Sequence, residues 1–86
     1  MITTSRYASL FTKNFAKSFS KLLNSNYFSR GKKTIFDLVE FSRKLGDQNV
    51  FVIKEKSGKP SSIDVVEVEE NLEWHWLDSI GISYEE

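Results

Sequence analysis

The chain has 86 residues, 40% of them hydrophobic and 14% aromatic, which suits one small domain and excludes a disordered chain or a second core. Cysteine is absent, which excludes disulfides and thiolate metal sites, and no apolar run approaches the roughly 20 residues needed to span a bilayer. Net charge is zero, yet seven bases and no acid precede Asp37, while Asp64 to Glu86 holds eight acids and neither lysine nor arginine.

Ile2 to Arg6 is short, acid-free and β-branched, and is expected as a strand. Thr12 through Leu23 is expected as a helix: Phe11, Phe15 and Phe19 recur every four residues, with Leu22 and Leu23 extending that face. Lys13, Lys17 and Lys21 share the same spacing on the other side. Tyr27 to Arg30 is a second strand candidate, entered through the Asn24-Ser25-Asn26 turn.

Gly31 breaks the pattern, and Thr34 opens a second helix. Asp37, three residues on, completes an acidic capping box, and Gly46 stands where a left-handed cap belongs. Ile35, Leu38, Val39, Ser42 and Leu45 trace the buried face. Val50-Phe51-Val52-Ile53 is a continuous apolar run, typical of a strand covered on both faces. Ser57 to Pro60 is turn chemistry, and Ile63 to Val68 returns as a strand. The expected class is α/β, a small mixed sheet with two helices in β-α-β-α-β-β order. One domain fills 1–86, with 70–86 an irregular acidic tail that contains Trp74, His75 and Trp76.

Residues 2–23 have the basic, acid-free profile of a transit peptide, but removing them would delete the first helix, so a cytoplasmic location is expected. No membrane or cofactor is implied.

Arg30-Gly31-Lys32-Lys33 is the most suggestive local feature. Free N–H groups and the dipole at the following helix start already favour an anion, and the cations add to that field. A phosphodiester backbone fits, as does a plain solvated turn. The Lys13, Lys17 and Lys21 stripe fits a nucleic-acid backbone or the polar face of an amphipathic helix. Tyr7, Tyr27 and Phe28 lie near bases in sequence and suit stacking on unpaired bases or burial. Lys54, Lys56 and Lys59 crowd a hairpin tip. Trp74 and Trp76 are candidate interface residues, and His75, the only histidine, has no metal-ligand spacing around it. No nucleophile elbow or Gly-rich phosphate loop is present, so the chain is expected to bind rather than catalyse.

Several strings resemble archaeal Brix-domain proteins. Ile2-Thr3-Thr4-Ser5-Arg6 is similar to their start, as are Asn26-Tyr27, Arg30-Gly31-Lys32-Lys33 and Asp37-Leu38. Val52 through Pro60 is similar to their hairpin, leading to a strand at Ile63. Order and spacing over residues 2–68 make the combination specific. The resemblance implies a ribosome-biogenesis factor that binds ribosomal RNA or its precursor. It also implies an anticodon-binding-like α/β half, since a complete Brix domain is about twice this length.

Carried over by position, Arg6, Arg30, Lys32 and Lys33 are the RNA-contact candidates, followed by Lys54, Lys56 and Lys59. Lys13, Lys17 and Tyr27 complete the set from the residues themselves. Expected partners are ribosomal RNA and ribosomal assembly proteins. A homodimer could imitate the two halves of a complete domain, with Trp74 and Trp76 covering the sheet edge. The alternative function is a protein–protein adaptor that uses the acidic, Trp-bearing tail.

Overall fold

A mixed sheet carries one helix on each face. In the computed structural model, which describes residues 1–69 and 73–82 (Asp78 by its backbone alone), the chain forms β1 (Ile2–Thr4), α1 (Leu10–Leu22), α2 (Ile35–Leu45), β2 (Asn49–Lys56), β3 (Lys59–Val68) and β4 (Trp74–Gly81). The strands lie in the order β1-β2-β3-β4, with β1 parallel to β2 and the other pairs antiparallel.

The strand expected at Tyr27–Arg30 contracts to one parallel bridge from Tyr27 to Ile2 on the outer side of β1. Ile2 N–H donates to the Asn26 carbonyl and Phe28 N–H to the Ile2 carbonyl, each at 2.9 Å. Beyond them, Arg30 folds onto backbone carbonyls and Gly31 turns left-handed at φ 53°, which draws the chain off the sheet. Counting that bridge, the order expected from sequence is present, with one strand added after it.

The added strand is β4, where an irregular tail was expected. Trp74 and Trp76 alternate about His75, but Leu77 breaks the alternation. A bulge explains why: Val66 pairs with Trp76 and Val65 with Asp78, so one residue of β4 is left over and the parity resets. Glu70, Glu85 and Glu86 lie outside the described residues.

The apolar run in β2 is covered on both sides, as its composition predicts. Val50 and Val52 join Leu38 and Val39 beneath α2, while Ile53 joins Ile2, Ala16 and Ile63 beneath α1. Successive side chains point to opposite faces, so one strand feeds two cores. Truncating Ile53, wholly buried, to alanine would cost about 2–5 kcal/mol.

α1 sits one position round from its expected face. Thr12, Ala16 and Ser20 are the buried residues, while Phe15 and Phe19 flank them with rings stacked at 6.2 Å. Small side chains at four-residue spacing let the helix settle close to the sheet, and Phe11, Leu22 and Leu23 are left exposed. α2 follows its sequence signals more closely. Thr34 N–H donates to the Asp37 carboxylate at 3.0 Å, Asp37 N–H donates to the Thr34 hydroxyl at 3.1 Å, and Gly46 ends the helix at φ 79°. Leu45, expected on the buried face, is exposed. Ser57 and Gly58 both have positive φ, 54° and 77°, as a two-residue hairpin of type I′ requires. Among the described residues, no helix is long and apolar enough to cross a membrane.

Candidate nucleic-acid interface

Strand direction decides where the charges go. Because β1 and β2 are parallel, Arg6 after β1 and Lys54 and Lys56 at the close of β2 emerge at one end of the sheet. Lys59 opens β3 at that same end, across from Lys56. The Tyr27–Ile2 bridge brings the 29–33 loop alongside, and Lys13 lies in the first turns of α1.

The tip of the hairpin is fastened to α1 through its one acid. Glu55 accepts from the Ser9 N–H (3.2 and 3.1 Å) and from the Thr12 hydroxyl (2.5 Å), and the Ser9 hydroxyl donates to the Gly58 carbonyl at 2.8 Å. The Thr12 hydroxyl, reinforced by Ser9, holds the Glu55 carboxyl below its ordinary value of 4.5 against the opposing effect of partial burial. This keeps Glu55 ionised with its oxygens turned to Ser9 and Thr12, and the three lysines around it leave the tip net cationic. Asp37, near Arg6 and Lys33, is committed to its helix cap, and Thr34 holds its carboxyl low.

The loop is stitched by its own cations. Arg30 donates from Nε to the Lys33 carbonyl at 2.7 Å and from Nη1 to the Thr4 carbonyl at 3.1 Å. Arg6 Nη2 reaches the Lys32 carbonyl at 3.3 Å, and Lys33 Nζ the Ser29 carbonyl at 3.1 Å. Burial, then the nearby Arg6 charge, lowers the Arg30 guanidinium below the usual arginine range, although it remains protonated. These contacts give Arg30 a fixed direction.

Thr4, Ser5, Tyr7, Lys13, Arg30 and Lys32 line a cleft of about 230 Å³. Tyr7 on its rim is 88% exposed and left-handed at φ 58°, a conformation that costs a bulky residue about 1–2 kcal/mol. Sequence reasoning named Tyr7 among the aromatics but did not place it in the site. Its positive φ follows from the chain leaving β1 and turning into α1, which no local pattern announces.

Two candidates sit apart from this cleft. Tyr27 is half-buried against the Ile2 core, which raises its phenol pKa, and Lys17 Nζ lies 5.8 Å from its ring centroid. Lys54 Nζ is 3.3 Å from Asp64, so its charge is paired.

The opposite end of the sheet is acidic. His75 Nε2 lies 3.5 Å from Glu67 and Nδ1 3.4 Å from Glu69, a juxtaposition that pairing of β3 with β4 creates. Their ligand-type atoms fall within 4.8 Å of one another, and all three side chains are open to solvent. The amino terminus meets Asp47 at 3.4 Å, and Arg43 Nη2 donates to the Glu69 carbonyl. On the α2 face of β4, the Trp74 and Trp76 rings meet edge to face at 5.9 Å; Trp74 packs against the core and Trp76 is half exposed.

No family model and no curated protein matches the sequence. Solved structures do. A probable ribosomal biogenesis protein from Aeropyrum pernix K1 is 26% identical, covers 96% of this chain and 47% of its own, and superposes with a TM-score of 0.91. The fold of this chain is thus shared with a protein of ribosome biogenesis. Mil, an archaeal Imp4-like protein and hence Brix-related, is 30% identical over 77% of this chain and 42% of its own, with a TM-score of 0.71. The chain thus spans less than half the length of either neighbour. The match to the Aeropyrum protein, over 96% of this chain, takes in both helices and the sheet end where the cations gather.

Proposed function

We propose that this protein is a non-catalytic ribosome-biogenesis factor, acting in the cytoplasm, that binds ribosomal RNA or its precursor through the basic end of its sheet. One observation carries the reading. Four separate segments deliver Arg6, Lys13, the Arg30-Lys32-Lys33 loop and the Lys56/Lys59 hairpin tip to the same end of the fold. The solved neighbours support it, one being named a ribosomal biogenesis protein and the other Imp4-like. Docking is electrostatic: lysines neutralise phosphates and release counterions, while the fixed Arg30 fork sets geometry. Lys17 extends this surface along α1.

Fluorescence anisotropy with labelled ribosomal RNA fragments at several salt concentrations tests the reading. Binding should weaken steeply with salt, and a variant with alanine at Arg30, Lys32 and Lys33 should lose it. A folded protein that binds none of the fragments at low salt would overturn the proposal.

A second reading has its own observation. Trp76 and Leu77, 50% and 54% exposed, stand on the outermost strand of the described sheet, close to Glu67, Glu69 and Glu73. Such an edge suits an assembly protein or a second copy. Removing everything after Glu70 would take β4 with it, so Trp76→Ser with Leu77→Ser is the sharper variant. Sedimentation that shows only monomer at high micromolar concentration, unchanged by the pair, would exclude the second copy.

A further inference from the structure

We propose that the cleft beside Tyr7 holds one unpaired nucleotide of a single-stranded segment, its base laid on the Tyr7 ring and its phosphate on Arg30 and Lys13. This rests on the polynucleotide reading above and assigns the ligand's form.

Three observations meet there. An aromatic ring stands almost wholly in solvent on a left-handed residue, while its neighbour Ala8 is buried, so the backbone turn at Tyr7 holds the ring outward at the rim. The cavity behind it, about 230 Å³, is small, concave and lined by cations from two elements, Lys13 of α1 and Arg30 and Lys32 of the loop. Arg30 is anchored through Nε and Nη1, and its Nη2 makes no hydrogen bond among the described residues. Gly31 adds access: a β-carbon built there would meet nothing within 4 Å, so the loop backbone lies open on that side.

A base stacked inside a duplex has both π faces covered and cannot take a third ring. An unpaired base offers a face to Tyr7 and, through its own phosphate, an anion one nucleotide's reach away. An acidic peptide satisfies the cations but has no use for the ring. The combination of one exposed ring with clustered cations around a narrow hollow therefore points to a splayed nucleotide.

The test compares a short single-stranded oligoribonucleotide, the same sequence closed in a duplex, and a single-stranded deoxyribonucleotide. Each is titrated against wild type, Tyr7→Ala and Tyr7→Phe, with the fold checked by circular dichroism. Tyr7→Ala should weaken single-strand binding about tenfold or more and leave duplex binding unchanged, and Tyr7→Phe should restore it. The salt dependence of Tyr7→Ala should match wild type, because no phosphate contact has been removed. The deoxy strand separates a site that reads base and phosphate, where it binds equally, from one that also contacts the 2′-hydroxyl, where it binds more weakly; both keep the Tyr7 effect. If Tyr7→Ala binds single strands as well as wild type does, the inference fails while RNA binding stands. Wild type binding no polynucleotide at all would overturn both. Competition by a polyglutamate peptide as strong as that by the oligonucleotide would also overturn it, in favour of a protein ligand.

Discussion

The two ends of the sheet carry opposite charge and are built in different ways. At the basic end, cations ride on loops and a hairpin tip, and three of them are spent partly on backbone carbonyls that hold the loop in shape. At the acidic end, carboxylates stand on a strand or close to one and face an imidazole or the amino terminus. The basic end is thus held by its own charges, whereas the acidic end is held by strand pairing. The difference teaches how a sequence-level segregation survives folding. A parallel β1–β2 pair keeps early bases beside the hairpin lysines, and the reversal into β3 carries Glu67 and Glu69 away from them. Glu67 lies eight residues beyond Lys59, roughly 26 Å of extended chain.

The largest expected effect tests whether the ends differ in function. Alanine at Arg30, Lys32 and Lys33 should reduce affinity for ribosomal RNA about a hundredfold, or about 2.7 kcal/mol. Glutamine at Glu67, Glu69 and Glu73 should leave that affinity unweakened in the same titration. Equal losses would break the comparison.

A smaller effect separates structural from mobile cations. Arg30→Ala removes two charge-assisted hydrogen bonds and should lower unfolding free energy in urea by about 1–2 kcal/mol. Lys32→Ala, whose side chain makes no such bond among the described residues, should leave it unchanged.

Glu55 provides a third test. Its folded pKa is depressed, so its contribution to stability is complete above its ordinary value of 4.5 and disappears as pH falls through the lower folded value. Glu55→Gln should cost about 1 kcal/mol near neutral pH and flatten the loss of stability below pH 4.5. The smallest effect concerns salt. Removing Lys56 alone should lower the slope of log affinity against log salt by about 1, the signature of one phosphate contact.

Much of this fold was legible where one segment carries its own instructions. Thr34, Asp37 and Gly46 bracket α2 because caps are local chemistry, and Val50 to Ile53 declare burial on both faces by composition alone. β4 was hidden because its bulge leaves one residue unpaired between Trp76 and Asp78, and period-two reasoning assumes no such slip. The face of α1 was misplaced by one position because phenylalanines outweigh Thr12, Ala16 and Ser20 on any hydrophobicity scale, yet the sheet demanded small side chains. The cations of the site could be named by type. Their assembly around Tyr7, and the pairing of Lys54 with Asp64 that withdraws one of them, depend on contacts between distant strands and helices. His75 gained its two glutamates in the same way.

Separated charges on a chain of zero net charge have a consequence for encounter. Far from a polyanion the molecule feels no net pull, since its monopole vanishes, but its dipole feels a torque. It is turned before it is attracted, and arrives basic end first. In physiological salt the Debye length is about 8 Å, much shorter than the distance between the ends, so that alignment begins only within the last nanometre or so of approach. A nucleic acid docked at the basic end, as proposed, would lie beyond that screening length from the acidic end and feel little repulsion from it.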